Sequence, residues 1–269
     1  MRHQLSFACE DAALAATLDE APGSTGLLIV SGGNEVRSGA HRGMAVLARR
    51  VAAAGHPVFR FDRRGIGDSE GSNAGYTGSG PDIAAAIAAF HRAAPQVTRV
   101  VAFGNCDAAS TLLLHQPLPL DALVLANPWT YDDDAEETGE PALPPASAIR
   151  ARYWSRLKDP SNLLRLFKGE IDVRKLVRGL SALGRPAAPA APDSLPARLD
   201  RALADLACPA TILLATGDRT AQAFVDRCQP PAVPVERLDS PSHSFAGGDA
   251  DWLYRQILKV LAAQASTIA

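Results

Sequence analysis

The chain has 269 residues, with 27 basic and 29 acidic side chains and a formal net charge of −2. Hydrophobic residues make up 47% of the sequence and charged residues 21%, which is typical of a soluble globular protein and excludes disorder along the whole chain. The near-neutral charge argues against nucleic acid as the main partner, because binding phosphates requires an excess of basic residues. The length suits one large α/β domain, or such a domain with an insertion.

The sequence has no pattern typical of a membrane span, a signal peptide or a metal site. No apolar run is long enough to cross a membrane, and the first residues lack the apolar segment of a signal peptide, so we expect a cytoplasmic protein. The cysteines have no metal-binding spacing and are expected to be reduced thiols: Cys9, Cys106, Cys208 and Cys228. Nothing implies a metal or an organic cofactor, and no feature indicates an oligomeric state.

The first 128 residues alternate between strand-like and helix-like segments. Apolar runs and alternating patterns predict strands at residues 3–9, 13–19, 27–30, 57–61, 99–103 and 122–126. Amphipathic or alanine-rich segments predict helices at residues 41–54, 81–93 and 107–115. This alternation predicts an α/β fold in which a mostly parallel central sheet is flanked by helices on both faces.

The alternation breaks after residue 128. Residues 131–140 carry six acidic side chains and no basic ones, whereas residues 148–185 carry ten basic side chains and three acidic ones. A Pro/Ala-rich stretch follows at 186–197. We interpret residues 129–205 as a helical cap or lid inserted into the α/β core.

The α/β pattern resumes beyond the predicted insertion. A strand at 209–215, a helix at 220–228, a strand at 233–238 and a helix at 250–264 complete the chain. We therefore expect a core formed by residues 1–128 and 206–269.

A cysteine follows the fifth predicted strand directly. Gly104 and Ala108 stand two positions either side of Cys106, as in a nucleophile elbow with Cys in place of Ser. Small flanking residues permit a tight strand-to-helix turn, and a helix N-terminus stabilises both a thiolate and a developing oxyanion. Asp107 is an alternative nucleophile, but Asn105 would then occupy a position that needs a small residue. We favour Cys106.

A cysteine nucleophile needs a base and a group that orients the base. Asp218 follows the strand at which the core resumes, and His243 follows the last predicted strand. The sequence thus has the order nucleophile, acid, histidine that is typical of α/β-hydrolases. Asp226 and Asp239 are rival acids, but the first lies within a predicted helix and the second is close in sequence to the histidine.

These motifs resemble those of the α/β-hydrolase superfamily. Residues 62–69 match the family's D-x-R-G-x-G-x-S loop after the fourth strand. The resemblance covers both core parts and implies an α/β-hydrolase fold with a cap. It also implies an oxyanion hole formed by two backbone N–H groups, one from Asp107 and the other from Gly33 or Asn34.

A closer resemblance is to the exosortase A system-associated hydrolase 1 group. The resemblance rests on the Cys106 elbow, on the stretch from Arg60 to Gly71, and on a loop with Gly32, Gly33, Arg37, Gly39, His41 and Arg42. This resemblance implies a setting in bacterial exopolysaccharide and protein-sorting loci.

Cysteine in place of serine favours thioesters and activated esters as substrates. The basic insertion suggests an anionic or carrier-bound acyl group, or a peripheral contact with an acidic membrane surface. Arg37, His41 and Arg42 would extend that basic patch; the alternative is a solvated helix face balanced by the acidic run. We expect an acyl hydrolase or thioesterase, the alternatives being an acyltransferase with the same Cys-His-Asp triad and a non-catalytic binding module.

Overall fold

In the computed structural model, residues 1–132, 191–229 and 233–266 are described. Their strands are β1 (Arg2–Cys9), β2 (Ala12–Asp19), β3 (Thr25–Val30), β4 (Val58–Phe61), β5 (Arg99–Asn105), β6 (Ala122–Ala126), β7 (Ala210–Ala215) and β8 (Val235–Leu238). Their α-helices are α1 (Gly43–Ala53), α2 (Gly75–Gly78), α3 (Gly80–Ala93), α4 (Asp107–Leu114), α5 (Leu195–Ala204), α6 (Arg219–Arg227) and α7 (Asp249–Ala265). Every strand and helix predicted for residues 1–128 and 206–269 is present, with ends that differ by at most two residues.

The eight strands form one sheet in the order β1-β2-β4-β3-β5-β6-β7-β8. Strand β2 is antiparallel to both of its neighbours, and all other pairs are parallel. The predicted α/β fold with a mostly parallel sheet is therefore confirmed. Because parallel strands end at the same edge, the loops that follow β3, β5, β6, β7 and β8 are brought together there.

The sheet is covered on both faces, as its continuous apolar strands require. In β3, Leu28 and Val30 belong to one buried cluster with residues of α3, α4, α5 and α6. Leu27 and Ile29 belong to the cluster on the other face, with residues of α1 and α7. The period of two along the strand thus divides its side chains between two cores.

Helix α5 lies inside the stretch that the sequence assigned to the insertion, and it packs as part of the core. Leu195, Leu199 and Leu203 recur on one helix face, are almost fully buried and join the first cluster. Residues 133–190, which carry nearly all of the acidic and basic runs, lie outside the described residues, so the cap over 129–205 stays a prediction. Within the part of the chain that is described, no helix is long and apolar enough to cross a membrane.

Candidate active site

Cys106 lies at the sharp turn between β5 and α4. Its backbone angles, φ 62° and ψ −127°, are strained for a residue with a side chain. The turn is fixed on both sides, since Cys106 N–H donates to Ala126 O at 2.9 Å and Trp129 N–H donates to Cys106 O at 3.2 Å. A Cβ on Gly104 would lie 2.7 Å from the carbonyl carbon of Ala108, which explains the need for glycine there. Cys106 is half-buried.

His243 lies between Asp218 and Cys106. The His243 Nδ1 atom is 3.1 Å from Asp218 Oδ2, and Cys106 lies near enough to the ring to raise the pKa of the imidazole. Asp218 is the N-cap residue of α6, and the same Oδ2 accepts the N–H groups of Thr220 and Ala221, each at 3.1 Å. The N-terminus of α6 therefore fixes the position of the Asp218 carboxylate, and the same carboxylate contacts the imidazole.

These contacts change the protonation of the imidazole. Hydrogen bonding of the ring to Asp218, and then to Cys106, raises the pKa of His243 from 6.5 to about 10, although burial acts in the opposite direction. The imidazolium is thus the favoured form at neutral pH. The His243 side chain is 42% exposed, so this cation borders the solvent from which a substrate would enter.

The rival acids are placed differently. Thr216 Oγ1 donates to Asp239 Oδ1 at 3.5 Å, and Asp226 lies near the end of α6. Asp218 is the carboxylate that contacts His243 Nδ1.

Two asparagines that the sequence analysis missed hold the histidine loop. The fully buried Asn127 follows β6, and its Nδ2 donates to the His243 carbonyl at 3.1 Å and to Asn105 Oδ1 at 3.2 Å. Asn105 Nδ2 donates to the same His243 carbonyl at 3.2 Å, while Asn127 Oδ1 accepts the N–H of Ala215 at 2.9 Å. Asn127 thereby connects the ends of β5, β6 and β7 to the histidine loop. The sequence signal that could have identified Asn127 was a polar amide directly after a strand that is buried on both faces.

The predicted oxyanion donors lie beside the elbow. Asp107 is the first residue of α4, where backbone N–H groups lack acceptors within the helix. The Gly33 N–H points to the elbow, but it donates to Asp107 Oδ1 at 2.5 Å in this structure. The neighbouring Asn34 side chain accepts a hydrogen bond from Asn73 Nδ2 at 3.0 Å. The loop after β3 is therefore in contact with the elbow, with one expected donor occupied by a carboxylate.

Of the predicted basic patch, Arg37, His41 and Arg42 lie among the described residues, whereas the basic run at 148–185 lies outside them. Arg37 donates to both Asp62 and Asp68, and together with Arg42 it lines a cavity of about 440 Å³. The residues described as lining this cavity include no member of the Cys106–His243 pair. His41 lies in the turn before α1, with φ 51°.

Of the other cysteines, Cys9 and Cys228 are buried and Cys208 is half-buried like Cys106. Burial raises the pKa of Cys9 to about 11 and that of Cys228 to about 12, and it also raises the pKa of the half-buried Cys208. Among the described residues, no group of three or more His, Cys, Asp or Glu side chains could hold a metal ion.

Solved structures with the same fold are distant in sequence. The esterase Pf2001 of Pyrococcus furiosus is 17% identical, with a TM-score of 0.62 over 98% of this chain and 91% of that chain. Proline iminopeptidase of Mycobacterium smegmatis is 15% identical, with a TM-score of 0.58 over 98% and 99%. Mouse alpha/beta hydrolase domain-containing protein 10 is 15% identical, with a TM-score of 0.56 over 97% and 99%. At these identities the likeness concerns the fold.

The sequence itself has no match among curated proteins. The sequence model of the Alpha/beta hydrolase family matches residues 27–256, which is most of the chain. This match agrees with the strand order and with the sharp turn after β5. The chain belongs to the Alpha/beta hydrolase family.

Proposed function

We propose that this protein is a cysteine-dependent acyl hydrolase that acts on esters or thioesters through an acyl-enzyme at Cys106. The observation that carries the proposal is the position of His243, which pairs with Asp218 through Nδ1 and lies near enough to Cys106 for that residue to raise the pKa of the imidazole. The strained backbone of Cys106 and its place before a helix N-terminus support the same role. The esterase named among the similar structures supports the reaction class by analogy of fold.

In the proposed reaction, the Cys106 thiolate attacks the acyl carbonyl carbon and forms a tetrahedral oxyanion. The Asp107 N–H is the proposed first donor to that oxyanion, as expected for the residue after a nucleophile. When the oxyanion collapses, the bond to the leaving group breaks and the His243 imidazolium gives that group its proton. The product of this half-reaction is a thioester between Cys106 and the acyl group.

Water completes the cycle. The neutral His243 left by the first step takes a proton from water as the water oxygen attacks the thioester carbonyl. The carbon–sulfur bond then breaks, the free acid leaves and the thiolate–imidazolium pair is restored. Throughout, the carboxylate of Asp218 keeps the imidazole oriented and balances its charge.

The surroundings of the site favour a substrate without negative charge next to the scissile bond. The Glu35 carboxylate lies close enough to His243 and Asp107 to interact with both electrostatically, and burial raises the pKa of Glu35. An anionic group beside the scissile bond would be repelled by the Glu35 carboxylate, whereas the Asp107 carboxylate is paired with Arg63. We therefore propose a neutral acyl group, with any carrier phosphate bound farther away. The resemblance to exosortase-associated hydrolases supports a role in bacterial exopolysaccharide metabolism.

The proposal is tested by turnover of acyl-CoA thioesters and p-nitrophenyl esters by the wild type, Cys106→Ala and Cys208→Ala. Cys208 is half-buried like Cys106 and serves as the matched control. Loss of the nucleophile should lower kcat by about 10³-fold or more, because only binding and the oxyanion hole remain. Cys208→Ala should stay within about twofold of the wild type. Full activity in Cys106→Ala would contradict the proposal.

Product analysis separates the two alternatives that share the fold. If alcohol or amine acceptors divert the acyl group from the free acid to a new ester or amide, the protein is an acyltransferase. If neither adduct nor turnover is found with any substrate while Cys106 reacts as an ordinary thiol, the binding module is favoured.

A further inference from the structure

Three hydrogen bonds join the loop after β3 to the elbow in a closed ring. Gly33 N–H donates to Asp107 Oδ1 at 2.5 Å, and Arg63 Nη2 donates to Asp107 Oδ2 at 3.1 Å. The same Nη2 also donates to the Gly33 carbonyl oxygen. The ring therefore connects the residue after the proposed nucleophile, the proposed oxyanion loop and the loop after β4.

The guanidinium of Arg63 is fixed in place by burial and by a second anchor. Arg63 is 2% exposed, and its Nη1 donates to Ser79 Oγ at 3.2 Å. That hydroxyl donates in turn to the Gly75 carbonyl at 2.6 Å. A buried cation needs a charged partner, because leaving it unpaired is strongly unfavourable. Asp107 is the carboxylate that pairs with it.

The contact between the loop and the elbow is too close for other residues. A Cβ on Gly32 would lie 2.4 Å from Asp107 Oδ1 and 2.7 Å from the Asn105 carbonyl oxygen. The carboxylate is thus packed directly against the backbone of the loop whose N–H groups face the elbow.

This arrangement has an electrostatic consequence for Cys106. Asp107 is covalently adjacent to the proposed nucleophile, and an uncompensated carboxylate there would repel both the thiolate and the oxyanion. Glu35 adds a second negative charge nearby. The positively charged guanidinium of Arg63 pairs with the Asp107 carboxylate, and so removes most of this repulsion.

We infer that Arg63 is a positioning residue, which neutralises Asp107 and holds the loop after β3 on the elbow, and so keeps Cys106 nucleophilic. The inference deepens the proposed function and rests on it. Arg63 occupies a variable position of the D-x-R-G-x-G-x-S motif; the motif arginine is Arg64, which pairs with Asp82 and Glu10. The role of Arg63 is thus derived from its contacts and not from the motif.

The test measures alkylation of Cys106 by iodoacetamide as a function of pH, followed by peptide mass spectrometry. The variants are Arg63→Gln, Asp107→Asn and the double variant. Arg63→Gln leaves Asp107 uncompensated and should slow alkylation at pH 7 about tenfold, whereas Asp107→Asn leaves Arg63 uncompensated and should accelerate it. In the double variant both charges are absent, so the rate should return to within about threefold of the wild type.

The sign pattern distinguishes electrostatic positioning from a merely structural role. Opposite shifts of the pH midpoint in the two single variants, with compensation in the double variant, support the inference. Rates that fall in all three variants, or that stay within twofold of the wild type, overturn it. If Arg63→Gln does not fold, acceleration in Asp107→Asn and its reversal in the double variant decide the question.

The readout also separates this inference from the proposed function. Alkylation needs no substrate, so the sign pattern can be found even if no ester is hydrolysed. Conversely, turnover that depends on Cys106 without the sign pattern would leave the proposed function standing and remove Arg63 from it.

Discussion

Two groups of charged side chains in the molecule differ in what their charges contact. The Asp62 cluster consists of Arg37, Arg60, Asp19, Asp62 and Asp68, and its ion pairs are Arg37 with Asp62 and Asp68, and Arg60 with Asp19. The triad cluster is named for the proposed triad of Cys106, His243 and Asp218; its ion pair involves a half-exposed imidazole, and Cys106 is half-buried. The presence of charges alone therefore does not indicate a site. The charges of the Asp62 cluster are largely paired with one another, whereas the pair of His243 with Asp218 lies next to the proposed nucleophile and borders the solvent.

The largest effect is expected in the triad cluster from Asp218→Asn. Asparagine is also a good N-cap residue, so the start of α6 should be kept, whereas the negative charge that favours the imidazolium is lost. We expect kcat to fall by about 10³- to 10⁴-fold, and Tm to fall as well at neutral and acidic pH, because the ion pair with His243 is lost. The measurement is steady-state kinetics together with thermal unfolding.

Asp226→Asn is the matched control, since this rival acid lies on the same helix. Its kcat should stay within about twofold of the wild type. An Asp226→Asn variant as inactive as Asp218→Asn would remove the distinction between the two acids.

The Asp62 cluster should show the reverse behaviour. Asp62 is fully buried and accepts hydrogen bonds from the backbone and side chain of Arg37. Asp62→Asn leaves a largely buried guanidinium short of its charge partner and should lower the free energy of unfolding by about 3 kcal/mol, while kcat per folded molecule changes little. Urea unfolding and active-site titration measure the two quantities.

The exposed member of the same cluster is the control. Asp68 is 75% exposed in its side chain, so Asp68→Asn should cost less than about 1 kcal/mol. If Asp62→Asn abolished turnover without loss of stability, the Asp62 cluster would belong to the active site and the comparison would fail.

The pH dependence of turnover gives a further test of the triad cluster. Because the pKa of His243 is raised to about 10, turnover that needs the imidazolium should persist through neutral pH and fall as the pH rises through about 10. Asp218→Asn removes the largest cause of the raised pKa, so the alkaline limb should move down by about one pH unit or more. The profile of kcat/KM against pH in both proteins tests this, and an alkaline limb that does not move would contradict the assignment.

The same shift predicts a pH-dependent stability. A histidine whose folded pKa is raised stabilises the protein fully below pH 6.5, and this contribution is lost as the pH rises through about 10. The difference in free energy of unfolding between the wild type and His243→Gln should therefore be largest at acidic pH and shrink above neutrality. If this difference in the free energy of unfolding grew as the pH rose, the prediction would be contradicted.

The smallest effect is expected from Arg42→Gln. Arg42 lines the cavity beside the Asp62 cluster, so its loss should change KM for a CoA thioester by less than about twofold. A p-nitrophenyl ester, which carries no phosphate, is the control substrate. A tenfold rise in KM for the CoA thioester alone would connect the cavity to substrate binding and return the basic patch to the site.

Local patterns predicted the framework of the molecule well. Alternating and continuous apolar runs predicted the eight strands of the sheet. A strand that is buried on one face has alternating apolar residues, and a strand that is buried on both faces has a continuous apolar run. The small residues around Cys106 predicted the sharp turn, since Gly104 has no room for a Cβ. Helix α5 was assigned to the insertion because the disrupted pattern before it concealed that its leucines pack in the core.

Contacts between loops were harder to predict, since they depend on side chains distant in sequence. The ion pair of Arg37 with Asp62 gave no local signal, and a role of Arg37 in substrate binding stays a prediction. The position of Asn127 directly after a buried strand marked the residue but not its bond to the His243 carbonyl, and no pattern indicated that Arg63 would bond to Asp107. The catalytic roles of Cys106 and its partners stay predictions for experiment.

The most direct test of the central claim is rapid-quench intact mass spectrometry after mixing the protein with an acyl thioester. The account predicts a transient adduct of one acyl group on the wild type and on Cys208→Ala, located at Cys106 by peptide mapping, and none on Cys106→Ala. Its decay should match the appearance of free acid. An adduct of equal size on Cys106→Ala, or turnover without any adduct at a quench time shorter than one cycle, would contradict covalent catalysis by Cys106.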